Sequence, residues 1–302
     1  MGGLIDTHCH VHAANYPLDR SEVLVRARSA RVRMICVGTG VEDSRRAVDF
    51  AKENEGVYAT VGVHPSELAI GELSADSHCS CDGDQILDST HPVSPTSFVG
   101  VKSGQFDSRG VVLRSETEIF DTIASQVKEL AKRERVVAIG EIGLDYHYEA
   151  PDRARQIELF ERQLQVAQDL EMPVVFHVRE AFEDFFAVMS GFSKVRRGVV
   201  HSFSDGVENL ERAVEMGFYV GVNGLATFTK SAEQLEAYAR LPLERMLLET
   251  DAPYLTPVPF RGKLNEPTYV GFVAEWVAKS RRESRSVIEV ATTKNAADLF
   301  GI

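Results

Sequence analysis

The chain has 302 residues, 44% hydrophobic and 26% charged, with 33 basic against 45 acidic side chains and a formal net charge of −12 at pH 7. That length and apolar content can bury a sizeable core, which excludes a disordered chain, and the acidic balance excludes a long electrostatic track along nucleic acid. Four cysteines, Cys9, Cys36, Cys79 and Cys81, are too few for a secreted disulfide framework, and no apolar run reaches the roughly 20 residues of a membrane span, so a soluble, untargeted, cytoplasmic protein is expected.

Short runs rich in Val, Ile and Leu alternate with stretches of helical period, the pattern of βα units and a parallel sheet. In chain order the runs are 3–10, 33–38, 57–64, 136–143, 173–178, 198–203, 218–223 and 246–251. Most are separated by one amphipathic helix; in 152–171, for example, Ile157, Phe160, Leu164, Ala167 and Leu170 line one face. Eight such repeats predict an α/β protein, a (β/α)8 TIM barrel, with 1–302 forming a single domain.

The third unit breaks the rhythm. A stretch rich in Ser, Asp, Gly and Pro makes 71–115 an insertion after strand 3, with a small hairpin at 97–103 and 109–115 and a helix over 116–134. Inside it, residues 77–84 gather His78, Cys79, Cys81, Asp82 and Asp84; Cys-x-Cys without a second pair is a weak zinc pattern, and a plain polar loop is expected there. Residues 267–299 read as two helices closing the barrel.

Barrel enzymes place their chemistry at the C-terminal ends of the strands. Those ends carry His8 and His10, His64, Glu141, His177 and Arg179, His201, and Glu249 and Asp251. Five of the chain's nine histidines fall there, which scatter rarely achieves. Side chains two apart on a strand share a face, so His8 and His10 form half of a metal site. Glu141 has two oxygens and could bridge two cations. His177, His201 and Asp251 would complete a binuclear centre of mixed nitrogen and oxygen donors, suited to Zn²⁺, Mn²⁺ or Mg²⁺. Two cations about 3.5 to 4 Å apart lower the pKa of water and polarise a phosphoryl or carbonyl oxygen, which makes metal-assisted hydrolysis the expected reaction class. His64, before Pro65, either orients a ligand or touches substrate. Asp6 is a candidate support for the ligands, and Glu249 is an additional ligand or an acidic neighbour of Asp251. His12 lies beyond the turn that ends strand 1 and is expected to be a loop residue.

The motifs IDTHCH (5–10), VGVHP (61–65), IGEIGLDY (139–146), PVVFHVREA (173–181), HSFS (201–204), GLATF (224–228) and LLETDAPYLTPVPFRGKLNEPTYV (247–270) resemble those of TatD-type metal-dependent deoxyribonucleases of the amidohydrolase superfamily. The resemblance runs almost end to end, apart from the insertion. It implies that His8, His10, Glu141, His177, His201 and Asp251 are the metal ligands. It further implies two divalent ions, Mg²⁺ or Mn²⁺ for activity with Zn²⁺ also accommodated, and hydrolysis of DNA phosphodiesters from the 3′ end, with action at abasic sites. Arg179 and Arg261 would contact phosphate, with Lys230, Lys263 and Asn265 as weaker candidates, and Tyr254 would stack on a base or pack under its loop. No membrane and no protein partner is indicated. Two departures stand out: Asp205 replaces the glycine of the family's His-Cys-Phe-Ser-Gly, and the insertion has no counterpart.

In the mechanism expected from these residues, a metal-activated water attacks phosphorus, Asp251 accepts its proton, and the arginines offset charge on the phosphoryl oxygens. Two rival readings are a hydrolase of lactones, amides or small phosphoesters on the same scaffold, and a non-catalytic metal or nucleic-acid binding barrel. The first is disfavoured by Glu141 standing on strand 4, where many relatives of that superfamily carry a lysine. The second is disfavoured because no ligand or base is missing.

Overall fold

All eight predicted strands form, and their order in space is their order in the chain. The computed structural model describes residues 3–69, 115–147 and 152–302. Its strands are β1 (Ile5–Cys9), β2 (Arg33–Val37), β3 (Val57–Val61), β4 (Val136–Asp145), β5 (Val174–Arg179), β6 (Gly198–Val200), β7 (Tyr219–Val222) and β8 (Met246–Leu248). Each pairs in parallel with the next, from β1 through to β8. The chain just after β8 returns to β1 through Asp251 N–H to His8 O and His10 N–H to Ala252 O, both 2.8 Å, so the barrel nearly closes.

The helices are α1 (Arg20–Ser29), α2 (Val41–Glu53), α3 (Glu116–Ala131), α4 (Arg153–Leu170), α5 (Phe182–Gly191), α6 (Val207–Glu215), α7 (Ala232–Arg240), α8 (Val270–Arg281) and α9 (Arg285–Phe300). Several begin at a side chain that accepts an otherwise unmet N–H. Asp19, Asp152, Ser231 and Ser284 do so, and Ser115 forms a reciprocal capping box with Glu118, each cap contributing roughly 1 kcal/mol. The helix predicted over 116–134 ends at Ala131. The predicted hairpin and the Cys79 and Cys81 loop lie outside the described residues. Among the described residues no helix is long and apolar enough to cross a membrane.

Among the described residues the hydrophobic core has two parts. Ile5, Ile35, Val37, Ala138, Val175, Val199 and Leu247 come from six different strands yet form one cluster, so they fill the barrel interior; Ala296, Leu299 and Phe300 of α9 close its floor. A larger cluster packs the outer strand faces against the helices. With the lower interior apolar, the polar strand ends are confined to the opposite mouth.

Two strands depart from regular alternation. β1 sets four residues, from Asp6 to Cys9, against three of β2, from Met34 to Cys36. β4 sets Ile139 to Ile142 against Val174 to Phe176 of β5 in the same way. Each extra residue is a bulge that turns the following side chain to the other face. They bring His8 and Glu141 inward, in line with His177 above Val175 and His201 above Val199. Gly143 sits where a Cβ would lie 1.9 Å from the carbonyl oxygen of His177, so only glycine lets β4 and β5 approach this closely.

Candidate metal centre

Glu141 is the hub of the barrel mouth. Its Oε1 lies 2.8 Å from His177 Nδ1, 3.0 Å from His201 Nε2 and 3.6 Å from His64 Nε2, and its Oε2 lies 3.4 Å from His8 Nε2. Beside it, Asp251 Oδ1 lies 3.3 Å from His10 Nε2 and 3.7 Å from His8 Nε2. Donor atoms of His8, Glu141 and His201 lie within 4.8 Å of one another, as do those of His8, His10 and Asp251, so two groups of three share His8. The six donors drawn from the strand ends therefore lie together, although Asp251 is separated from His8 by 243 positions.

The chemistry of this set fits divalent cations. His8 is fully buried, and among the described residues neither of its ring nitrogens finds a hydrogen-bond partner. A buried imidazole with two unmet nitrogens is costly unless something else is bound there. His10 is aimed by its other nitrogen: Nδ1 donates to the carbonyl of Val37 at 3.0 Å, which turns Nε2 toward Asp251.

Electrostatics reinforce the gathering. Burial pushes the Glu141 carboxyl upward, but His201, His64 and His8, with the hydrogen bond from His177, outweigh it and hold the group well below the usual carboxylate range. Burial likewise opposes ionisation of Asp251, and His10 and His8 overcome it. His8 is pushed down by burial and by His201, and His64 is pushed down to about 3 by burial and by His177, so both rings are neutral and free to bind or donate. His201 moves up: burial lowers it, while Glu141 and Glu249 raise it further.

Sequence reasoning missed Asp145. β4 continues two residues beyond its predicted end, and Asp145 Oδ2 sits 2.9 Å from His177 Nε2. Alternation from Glu141 through Gly143 was the signal that pointed to it. His64, predicted to end β3, instead follows it in the loop before a short 3-10 turn, Pro65–Ala69. Its Nδ1 accepts the N–H of Ser66 at 3.1 Å, which places the ring proton on Nε2, toward Glu141. Glu249 lies behind the site: its Oε1 accepts from Ser202 N–H at 2.6 Å and lies 3.3 Å from His201 Nδ1. Asp6 faces β8, accepting from Thr250 N–H at 2.8 Å and Thr250 Oγ1 at 2.6 Å. His12 is in a loop, as expected, but buried, with Nε2 2.9 Å from Asp43 Oδ2.

The predicted substrate contacts separate. Arg179 ends β5, on the face of His177. Tyr254 is 45% exposed with its ring 6.4 Å from that of His10, which sets it at the rim of the mouth. Arg261 is exposed, its guanidinium 3.8 Å over the Phe228 ring and donating to Thr256 O at 3.2 Å. Lys230 and Lys263 are exposed. Asn265 corrects expectation: it is fully buried, and its amide donates to Thr250 O at 2.9 Å and to Tyr254 O, so it braces the loop after β8 from within.

A parallel barrel with imidazole and carboxylate donors gathered at its C-terminal mouth defines a class, the metal-dependent hydrolases on a (β/α)8 scaffold. The family model described as TatD related DNase matches residues 5–301, and the chain belongs to that family. It is 32% identical over 302 residues to the uncharacterized metal-dependent hydrolase YabD of Bacillus subtilis, covering 99% of both chains. It is 29% identical over 304 residues to the 3′-5′ ssDNA/RNA exonuclease TatD of Cronobacter sakazakii, covering 98% of this chain and 97% of that one. The crystal structure of YjjV, a TatD homologue from Escherichia coli, superposes with a TM-score of 0.76 at 28% identity, covering 99% of this chain and 98% of that one. The protein is thus a metal-dependent hydrolase acting on ester bonds.

Proposed function

We propose that the protein hydrolyses DNA phosphodiesters, removing nucleotides from the 3′ end of a strand. The observation that carries this reading is the buried carboxylate of Glu141 surrounded by four imidazoles, with the His10 and Asp251 pair beside it. The similarity to an exonuclease of single-stranded DNA and RNA supports the choice of substrate.

His8, His10, Glu141, His177, His201 and Asp251 would hold two divalent cations, Mg²⁺ or Mn²⁺, with Zn²⁺ also compatible with the nitrogen donors. Such ions supply Lewis acidity, making water nucleophilic near neutral pH and offsetting charge on a phosphoryl oxygen. Asp251, held ionised by His10 and His8, accepts the proton of the attacking water. Arg179 neutralises the phosphate from the β5 side, and Arg261 does so from the loop after β8. His64 offers an N–H from Nε2 toward the same space, and Tyr254 offers an aromatic face at the rim. Glu249 supports His201 from behind through Nδ1.

Cleavage of end-labelled single-stranded and duplex DNA with Mg²⁺ or Mn²⁺, coupled to metal analysis of the purified protein, tests the reading. Mononucleotide release from the 3′ label is expected. Faster turnover of a lactone or small phosphoester than of any DNA substrate would displace it.

A further inference from the structure

We propose that Asp145 is a positioning residue: it accepts the Nε2 proton of His177 and so keeps the Nδ1 lone pair aimed at the cation site beside Glu141. This rests on the reading of His177 as a ligand given above. The two nitrogens of His177 face opposite carboxylates, Nδ1 toward Glu141 at 2.8 Å and Nε2 toward Asp145 at 2.9 Å. An imidazole that gives one lone pair to a cation keeps its proton on the other nitrogen, and that proton needs an acceptor to fix the ring's tautomer and tilt.

Asp145 is built to be that acceptor. Its residue is 5% exposed, and its Oδ1 accepts the N–H of His147 at 3.0 Å, which leaves Oδ2 for His177. Its main chain is gripped on both sides by one side chain of α4. Gln156, itself buried, takes the Asp145 N–H at 2.7 Å through Oε1 and gives an N–H to the Asp145 carbonyl at 2.8 Å. Next along the strand, Tyr146 N–H donates to Arg179 O at 2.9 Å, which ties the end of β4 to β5. The carboxylate is therefore set by the His147 N–H, on a main chain fixed by α4 and β5, before it meets the imidazole.

The same atoms admit a competing role, since donors of His64, Asp145 and His177 lie within 4.8 Å of one another and could hold a third cation. Two features argue against it. His64 presents a protonated Nε2 to the site, because Nδ1 accepts from Ser66. His177 would have to bind cations on both nitrogens, which requires the loss of both ring protons, whereas the acceptor at Asp145 Oδ2 satisfies an Nε2 that keeps its proton.

The test uses binding rather than turnover, so it is independent of the identity of the substrate. Mn²⁺ and Co²⁺ binding is measured by calorimetry, and the Co²⁺ absorption spectrum is recorded, for wild type, Asp145→Ala, Asp145→Asn and His177→Ala, with circular dichroism verifying each fold. Asp145→Ala is expected to weaken one of two ions roughly 10- to 100-fold and to change the Co²⁺ spectrum. Asp145→Asn, whose one amide oxygen can accept from His177 only by giving up the bond from the His147 N–H, is expected to recover part of the affinity. Long-range ¹H–¹⁵N spectra of the Zn²⁺-loaded wild type need no variant: the ion is expected on Nδ1 of His177 and the proton on Nε2. An ion on Nε2, a third ion lost in Asp145→Ala, or wild-type binding by Asp145→Ala while His177→Ala is weakened would each overturn the proposal. Wild-type binding by His177→Ala would remove the ligand assignment itself, and the proposal with it.

Discussion

The rings of His8 and His201, carried by β1 and by the residue after β6, stack face to face with centroids 3.7 Å apart and planes 16° from parallel. Two imidazoles so close in a buried site repel when both are protonated, and here burial and His201 push His8 down. His8 is thereby kept as a neutral donor with bare nitrogen. Chelation is expected to abolish hydrolysis, and added Mn²⁺ or Mg²⁺ to restore it. Because the ion binds only the folded chain, stability rises by about 2.7 kcal/mol at 100 times the dissociation constant. A melting temperature indifferent to saturating metal would contradict the site.

Glu141 and Glu249 are both buried carboxylates beside His201, but they stand on opposite sides of its ring. Glu141→Gln removes the one counter-charge shared by four imidazoles and is expected to abolish binding of both ions. Glu249→Gln acts only through His201 and is expected to weaken metal binding by roughly 10- to 100-fold. Equal effects in calorimetry would show that Glu249 is itself a ligand.

Asp251→Asn keeps the size of the side chain and removes its basicity. With metal saturating and the fold unchanged by circular dichroism, turnover is expected to fall roughly 10²- to 10⁴-fold. Near wild-type turnover would rule out Asp251 as the proton acceptor.

The buried His12 and Asp43 pair gives stability a pH dependence of its own. Burial lowers His12, but Asp43 outweighs it and the imidazole is pushed up to about 9; burial raises Asp43, but His12 outweighs that and holds it well below the usual range. The raised imidazole stabilises fully below about pH 6.5 and loses that contribution as pH climbs through 9. The depressed carboxyl stabilises fully above about pH 4 and loses its contribution only in stronger acid. In metal-stripped protein, Asp43→Asn is expected to melt roughly 5 to 10 °C below wild type at pH 6, with the gap narrowing by pH 10. An equal gap at both pH values would exclude the ion pair as its source.

The net charge of −12 constrains how DNA is held. If ions and two arginines grip only the strand end, few phosphates are neutralised, and affinity is expected to fall shallowly with salt. A slope equivalent to six or more released counterions would require a longer basic track.

The relation of Ile5 to His8 shows where sequence reading stops. Alternation from Ile5 would place Thr7 and Cys9 inward, yet His8 faces the centre because β1 carries one extra residue before Cys9. Strand-end logic still selected His8, since histidines clustered there whatever the face. The same logic stopped β4 at 143 and passed over Asp145, although the glycine that ended the run, Gly143, is what permits the strand to continue against His177. Asn265 was misread for a related reason: its type suits a phosphate contact, and only the folded loop shows its amide turned inward to Thr250.

By itself the sequence determined the eight βα repeats, the barrel and the set of donors at its mouth, because apolar periodicity and residue type are local properties of the chain. The tertiary structure alone decided which nitrogen of each imidazole faces the centre and which carboxylate backs it. It also decided that Glu141 meets His8, His64, His177 and His201 at once. Those choices depend on two bulges, one glycine contact and the buried glutamine of α4, each of which acts between one element and another packed against it, where local periodicity carries no signal.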